Sequence, residues 1–459
     1  MEVYGLKKTE WMQVLSSWSG WVMDGYVSIT YALVAVTISK ILFPPIYLAL
    51  LATVMGFIVS AVARLVGSVV LGNFFGDKIG RKTMLTITVL FFSIFSASIA
   101  LIPSFSQIGL LAPAILYVAL FMVGFFAGAE YGGGTALATE SVPPERRGFV
   151  GAFVQSGFGV GYFIVSLVFF ALDSFYGQAG FQAFGWRVLF ATSIIPGILA
   201  LVLRLFTRES RIFTEMKNEH KVEKIPVRNM VREVPMALAF VIMITAGLLF
   251  INGATLSFYP IVMEKFVSIP YSIPPEAFRF HFESIVVVKF ESIPYSTVGL
   301  AIALINLISL FGVWIGGMLS NRLGGRRISM AIYSLAFLLT AYPLIYLGLS
   351  HTLFAVVAAF SVQAFIEAMI FATLPAFLAE KFSKRYRSTA VGFAYNAGGI
   401  AASFSTTIIL LFVALHFSLL NIWSFIIVAA SLLMITGIVF SSETWSSRYS
   451  KKSDDRITQ

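Results

Sequence analysis

Three charged side chains stand deep inside long apolar runs: Asp24, Arg64 and Glu130. A charge at the bilayer centre costs about 2.5 to 3.5 kcal/mol by insertion scales, so each is a functional candidate. Asp24 lies about eight residues, roughly 12 Å, into the first run, Arg64 about eleven from the matching end of the second, and Glu130 about nine from the end of the fourth. The three share a depth. Two carboxylates and one guanidinium leave one negative charge uncompensated, and a poorly solvated cleft favours cancelling it with a proton. Asp24 and Glu130 are therefore expected to share proton coupling, with Asp24 in the lead. Arg64 either neutralises the remaining carboxylate or binds an anionic substrate once protonation releases it; a static salt bridge between spans is the plainer alternative.

Spacing adds direction. Glu130 points about 160 to 200° away from the stripe Gly124, Gly128, Gly132, so if small residues pack against a neighbouring helix the carboxylate faces a cavity. Gln155 stands in the same relation to Gly157 and Gly161. Glu367, the comparable charge of the second half, is placed to face Glu130 across that cavity. Tyr31, Asn252, Gln363, Tyr395 and Asn396 complete the expected substrate contacts, with Tyr26, Tyr131 and Asn306 as further polar candidates.

Holding such groups requires membrane spans, and the composition supplies them. Of 459 residues 58% are apolar and 12% charged, with a mean hydropathy of +0.88. Soluble domains carry roughly 25% charged residues, so this chain calls for a lipid solvent. With no cysteine and with His220, His281, His351 and His416 far apart, no disulfide, metal site or cofactor is expected. No nucleophile–base pair is legible either, which argues against an enzyme. Runs long enough to cross about 30 Å of hydrocarbon lie near 16–41, 46–75, 83–103, 109–139, 147–172, 185–207, 235–259, 297–320, 327–349, 352–380, 388–415 and 419–441. The expected fold is an all-α membrane protein with twelve transmembrane helices. If both termini are cytoplasmic, 26 basic residues face that side and five the other, with Arg64 inside a span. The net charge of +10 is then the positive-inside signature of a cell-membrane protein and not affinity for nucleic acid. No cleavable signal peptide is read at the N-terminus.

The chain also repeats. Gly72-Asn-Phe-Phe-Gly76-Asp77-Lys78-Ile-Gly80-Arg81-Lys82 closes the second span, and Gly316-Gly-Met-Leu-Ser-Asn-Arg-Leu-Gly324-Gly-Arg326-Arg327 closes the eighth. Two pseudo-symmetric six-helix bundles follow, at 1–207 and 235–441, with a cytoplasmic linker at 208–234 and a tail at 442–459. An external loop at 260–296 holds a duplication, Lys265-Phe-Val-Ser-Ile-Pro-Tyr-Ser and Lys289-Phe-Glu-Ser-Ile-Pro-Tyr-Ser, read as a surface elaboration or a lid. Gly76 to Thr83 is not a phosphate-binding loop, because Arg81 stands where the second glycine belongs.

The loop after span two resembles the most specific motif of the major facilitator superfamily, and further stretches are similar to its metabolite:proton symporter family, relatives of the sugar porters. These are Ala63-Arg64-Leu65-Val66-Gly67, Gly128-Ala-Glu130-Tyr131-Gly132-Gly133, Glu140 through Gly148, Gly185-Trp186-Arg187, Glu209-Ser-Arg-Ile-Phe213 and Glu380 through Asn396. The resemblance implies a major facilitator fold that imports a small organic metabolite, a carboxylate by family, together with protons. It implies a monomer working by alternating access in the lipid bilayer. Gly72, Gly76, Asp77, Gly80 and Arg81, with Glu140, Arg147 and Glu209 at nearby helix ends, then form the gate latch. Sugar porters are the alternative, though Thr245, Ala246 and Gly247 replace the span-seven glutamines. A drug:proton antiporter would show a span-five Gly-Pro signature, which 151–161 lacks; a transporter-like sensor stands further off.

Overall fold

The computed structural model describes residues 5–46, 48–72, 80–207, 209, 214–215, 218, 226–267, 295–349, 352–383 and 387–444. Gly76, Asp77, most of the linker, most of the duplicated external loop and the tail beyond 444 lie outside the described residues. Each expected run is mainly helical where it is described. The first is α1 (Lys8–Leu33) followed, across a 55° bend at Val34, by α2 (Ala35–Ile41). Then come α3 (Ala49–Val70), α4 (Arg81–Ser98), α5 (Leu111–Glu140), α6 (Arg147–Gly180), α7 (Trp186–Ala191) and α8 (Ile194–Leu205). The second half holds α9 (Pro235–Ala254), α10 (Tyr259–Val267), α11 (Tyr295–Arg322), α12 (Arg326–Gly348), α13 (Leu353–Lys381), α14 (Arg387–Ser403), α15 (Ser405–Ala414) and α16 (Leu419–Phe440).

Ten of the described stretches are long and apolar enough to span a membrane, and the bent α1–α2 pair makes eleven. One of them, Pro144–Leu205, has 62 residues. A straight helix of that length would reach about 93 Å, three bilayer cores. It folds back at Gly177, whose φ of 68° is a left-handed conformation that a side chain resists. Arg187, just past the reversal, donates to the carbonyls of Ala100 and Ile102 at the far end of α4, both at 2.6 Å. Leu205 has returned to the near end, where its carbonyl accepts from Lys82 Nζ at 3.2 Å. The stretch thus holds two crossings, and twelve fits the whole chain.

The outward faces are apolar: Leu339, Phe425 and Val118 are each more than 60% exposed. Only lipid tolerates such a surface at this extent. Inside, glycines set the helix spacing. A Cβ on Gly124 or Gly128 of α5 would strike the backbone of Ser60 or Arg64 on α3, and one on Gly161 of α6 would meet Val22 and Tyr26 of α1. The glycine stripe therefore packs as the sequence predicts. The halves join where α6 meets α11 and α13, and where α14 meets α3 and α5.

Candidate transport site

A cavity of about 220 Å³ lies between the halves. On its first-half wall Arg64 holds Asp24 in a two-pronged ion pair, with Nη1 donating to Oδ2 at 3.0 Å and Nη2 donating to Oδ1. Ser28, one turn along α1, is tied to both: it accepts from Arg64 Nη2 at 3.1 Å and donates to Asp24 Oδ1 at 3.4 Å. Asp24 is 2% exposed, whereas the Arg64 side chain is 18% exposed and reaches the cavity. Tyr31 also lines it, its hydroxyl donating to the Thr53 carbonyl at 2.5 Å.

Glu130 is elsewhere. It does not line the cavity; Arg204 Nη1 and Nη2 grip its two oxygens at 3.1 and 2.6 Å, and Thr88 donates to Oε1. The side opposite the glycine stripe faces α4 and α8 within the first half, not the space between halves. This corrects two expectations at once. Glu130 does not face Glu367 across the cavity, and the trio of charges is in fact two complete ion pairs, because Arg204 reaches inward from the end of α8.

On the second-half wall Glu367 accepts from Asn252 Nδ2 at 2.9 Å and from Thr255 Oγ1 at 2.6 Å. Among the described residues, no basic side chain bonds to it. Asn252, Asn306, Tyr395 and Asn396 share that wall, and Gln155 reaches the cavity from α6. Asn396 spends its amide on bridging the halves, donating to Gly128 O at 2.9 Å and Gly392 O at 2.8 Å. Gln363 is misplaced by the sequence reading: one turn from Glu367, it is fully buried away from the cavity and accepts from Tyr259 at 2.8 Å. Tyr26 bonds Thr192 at 2.8 Å as packing, and Tyr131 lies just beneath the cavity rather than on its wall.

At the end of the bundle that carries Glu140, charges join helices. Glu140 of α5 accepts from Arg81 at the start of α4 and, at 3.4 Å, from Arg387 of α14 in the other half. Gly80, with φ 113°, begins α4, and Gly72 closes the far side of that loop with open space around it. Glu209 accepts from the Lys82 amide at 3.0 Å, a carboxylate at a helix N-terminus. Arg147 does not join Arg81, a fellow cation; it donates to the Thr139 carbonyl at 3.1 Å. The second half repeats the device: Glu443 accepts from the Arg326 and Arg327 amides at 2.9 and 3.0 Å, and Arg326 lies 3.7 Å from Glu380.

Comparison with known proteins decides the family. Residues 12–238 match the family described as Sugar (and other) transporter, and 267–454 match Major Facilitator Superfamily. The chain belongs to the major facilitator superfamily. It is a multi-pass membrane transporter and not an enzyme. It is 28% identical to the inner membrane metabolite transport protein YhjE of Escherichia coli, over 79% of this chain and 80% of that one. It is 29% identical to the ectoine/proline transporter ProP of Corynebacterium glutamicum, over 76% and 66%. In fold it is similar to the xylose transporter XylE from E. coli in a partially occluded inward-open conformation, with a TM-score of 0.72, 14% identity, and coverage of 95% of this chain and 99% of that one.

Within this facilitator the sequence reading missed Arg204 and Glu443. Arg204 sits near the end of its run and passes for a topology charge. Glu443 was visible as a repeat: Thr207-Arg-Glu209-Ser210 recurs as Ser441-Ser-Glu443-Thr444.

Proposed function

We propose that this facilitator imports a small organic carboxylate together with a proton, as a monomer in the cell membrane with both termini cytoplasmic. One observation carries the reading: Arg64 is both the partner of Asp24 and the cation that reaches the cavity. Protonating Asp24 breaks the charge pair and leaves Arg64 free to take a carboxylate in the two-pronged geometry it now offers Asp24. Releasing the carboxylate returns Arg64 to Asp24 and expels the proton, so the two passengers travel together. Glu367 and the amides of Gln155, Asn252 and Asn306 receive the polar remainder of the cargo. Rocking of the halves requires Glu140 to release Arg387, while Arg81, Glu209 and Gly80 keep the first half rigid. Glu130, paired within its own half, assists coupling only by bracing α5.

Proteoliposomes test this. A screen of organic acids, amino acids and sugars by thermal stabilisation finds the cargo, since a ligand at a hundred times its Kd adds about 2.7 kcal/mol. Uptake is then measured under separate pH and voltage gradients. A monoanion entering with one proton moves no net charge, so a pH gradient alone drives accumulation and voltage alone does not. A zwitterion entering with one proton responds to both, and 100 mV adds about 2.3 kcal/mol. Accumulation that survives Asp24→Asn, still driven by the pH gradient, sinks the coupling assignment. The three wall amides favour a neutral polyol as the second reading, which predicts sugars as the stabilising ligands.

A further inference from the structure

Beneath the cavity, two rings from opposite halves meet face to face. Tyr131 of α5 and Tyr395 of α14 stack with centroids 3.6 Å apart and planes 20° apart, and Trp21 of α1 packs on both at 4.8 and 5.9 Å. Tyr395 is the upper face of this stack, since it lines the cavity. Immediately alongside, Gly132 abuts the backbone of Ser388 and Gly392, so the two halves come into backbone contact at this level.

The stack carries a built-in opposition. Stacked, buried rings hold the halves together. Yet Tyr131 Oη and Trp21 Nε1 are buried inside it with no hydrogen-bond partner among the described residues. A buried donor left unpaired is costly, and the cost vanishes when water or a cargo oxygen reaches it. We propose that Trp21, Tyr131 and Tyr395 form a gate between the cavity and the Glu140 end, shut by stacking and biased toward opening by its two stranded donors. The same residue then gives opposite effects with two substitutions: removing only the Tyr131 hydroxyl tightens the gate, and removing the ring opens it.

The chain has no cysteine, so single-cysteine reporters are clean. Ser388→Cys reports the seam below the gate and Ser60→Cys the cavity above it. Maleimide labelling rates are measured on the purified full-length protein. Tyr131→Phe is expected to slow labelling at 388 by about fivefold or more, the lower end of what a stranded donor is worth. Tyr131→Ala is expected to speed it by a similar factor while labelling at 60 continues. Trp21→Phe, which keeps a ring and removes a donor, gives the same slowing as Tyr131→Phe and serves if Tyr131→Ala does not fold. Labelling at 388 that Tyr131→Phe and Trp21→Phe leave unchanged or accelerate overturns the proposal. The gate rests on the alternating-access reading, but its readout needs no cargo. Solute uptake with unchanged labelling overturns the gate alone; the expected labelling without uptake of any solute overturns the transport reading.

Discussion

Among the ion pairs of the first half, two join a carboxylate to a guanidinium at a similar depth, and they differ in access. Asp24–Arg64 ties α1 to α3 and presents its cation to the cavity, with 18% of the Arg64 side chain exposed. Glu130–Arg204 ties α5 to α8 with side chains 2% and 1% exposed and no place on the cavity wall. Charge inside a membrane span is therefore not in itself a sign of transport chemistry. What separates the pair proposed to work from the brace is access: at the cavity a proton can compete for Asp24 and a carboxylate for Arg64, and neither reaches the Glu130–Arg204 pair without unpacking helices.

The comparison breaks most sharply at the dry pair. Removing one member leaves the other charged, buried and unpaired, which costs about 3 to 5 kcal/mol. Arg204→Met or Glu130→Gln alone should lower the thermal midpoint of the purified protein further than Gly20→Ala or Asp24→Asn does, and the double variant should recover most of the loss. Equal losses for Asp24→Asn and Glu130→Gln would erase the distinction. A smaller effect comes from α1, which passes the dry pair at Gly20. A Cβ there would lie 2.5 Å from Arg204 Nη2 and 2.6 Å from Glu130 Oε2. Gly20→Ala should destabilise by about 1 to 3 kcal/mol, the usual cost of overpacking. Gly134→Ala is the control, since its nearest neighbour would be 3.7 Å away, an ordinary contact.

Sequence made the spans readable because a stretch that must cross lipid announces itself by length and apolarity, whatever it packs against. It also gave the direction of Glu130 relative to Gly124 and Gly128 correctly, since both lie on one helix with known periodicity. What it could not give was the neighbour in that direction, which is α4 and α8; that depends on how six helices assemble. Arg204 escaped for a related reason: a basic residue near the end of a run ordinarily reaches out to the headgroups, and this one reaches in. Gln363 and Glu367 share a face of α13 by spacing. Only the arrival of Tyr259 from α10 removes the first of them from the cavity. The Glu443 device needed only the repeat to be followed past the last span.

The smallest change in stability is expected where the largest change in transport is. Asp24→Asn removes a buried carboxylate but leaves an amide oxygen for Arg64, whose guanidinium already borders the cavity and can be solvated there. The loss should be smaller than that of Glu130→Gln, because water in the cavity can solvate the freed guanidinium. The protonated aspartate is mimicked by asparagine, so under the coupling proposal Arg64 is held permanently in its cargo-binding state. Exchange of labelled for unlabelled cargo should then persist, while accumulation driven by a pH gradient should collapse. A variant that unfolds instead, losing as much as Glu130→Gln does, would mean that Asp24–Arg64 is a second brace and that the cavity takes its cargo through Glu367 and the wall amides alone.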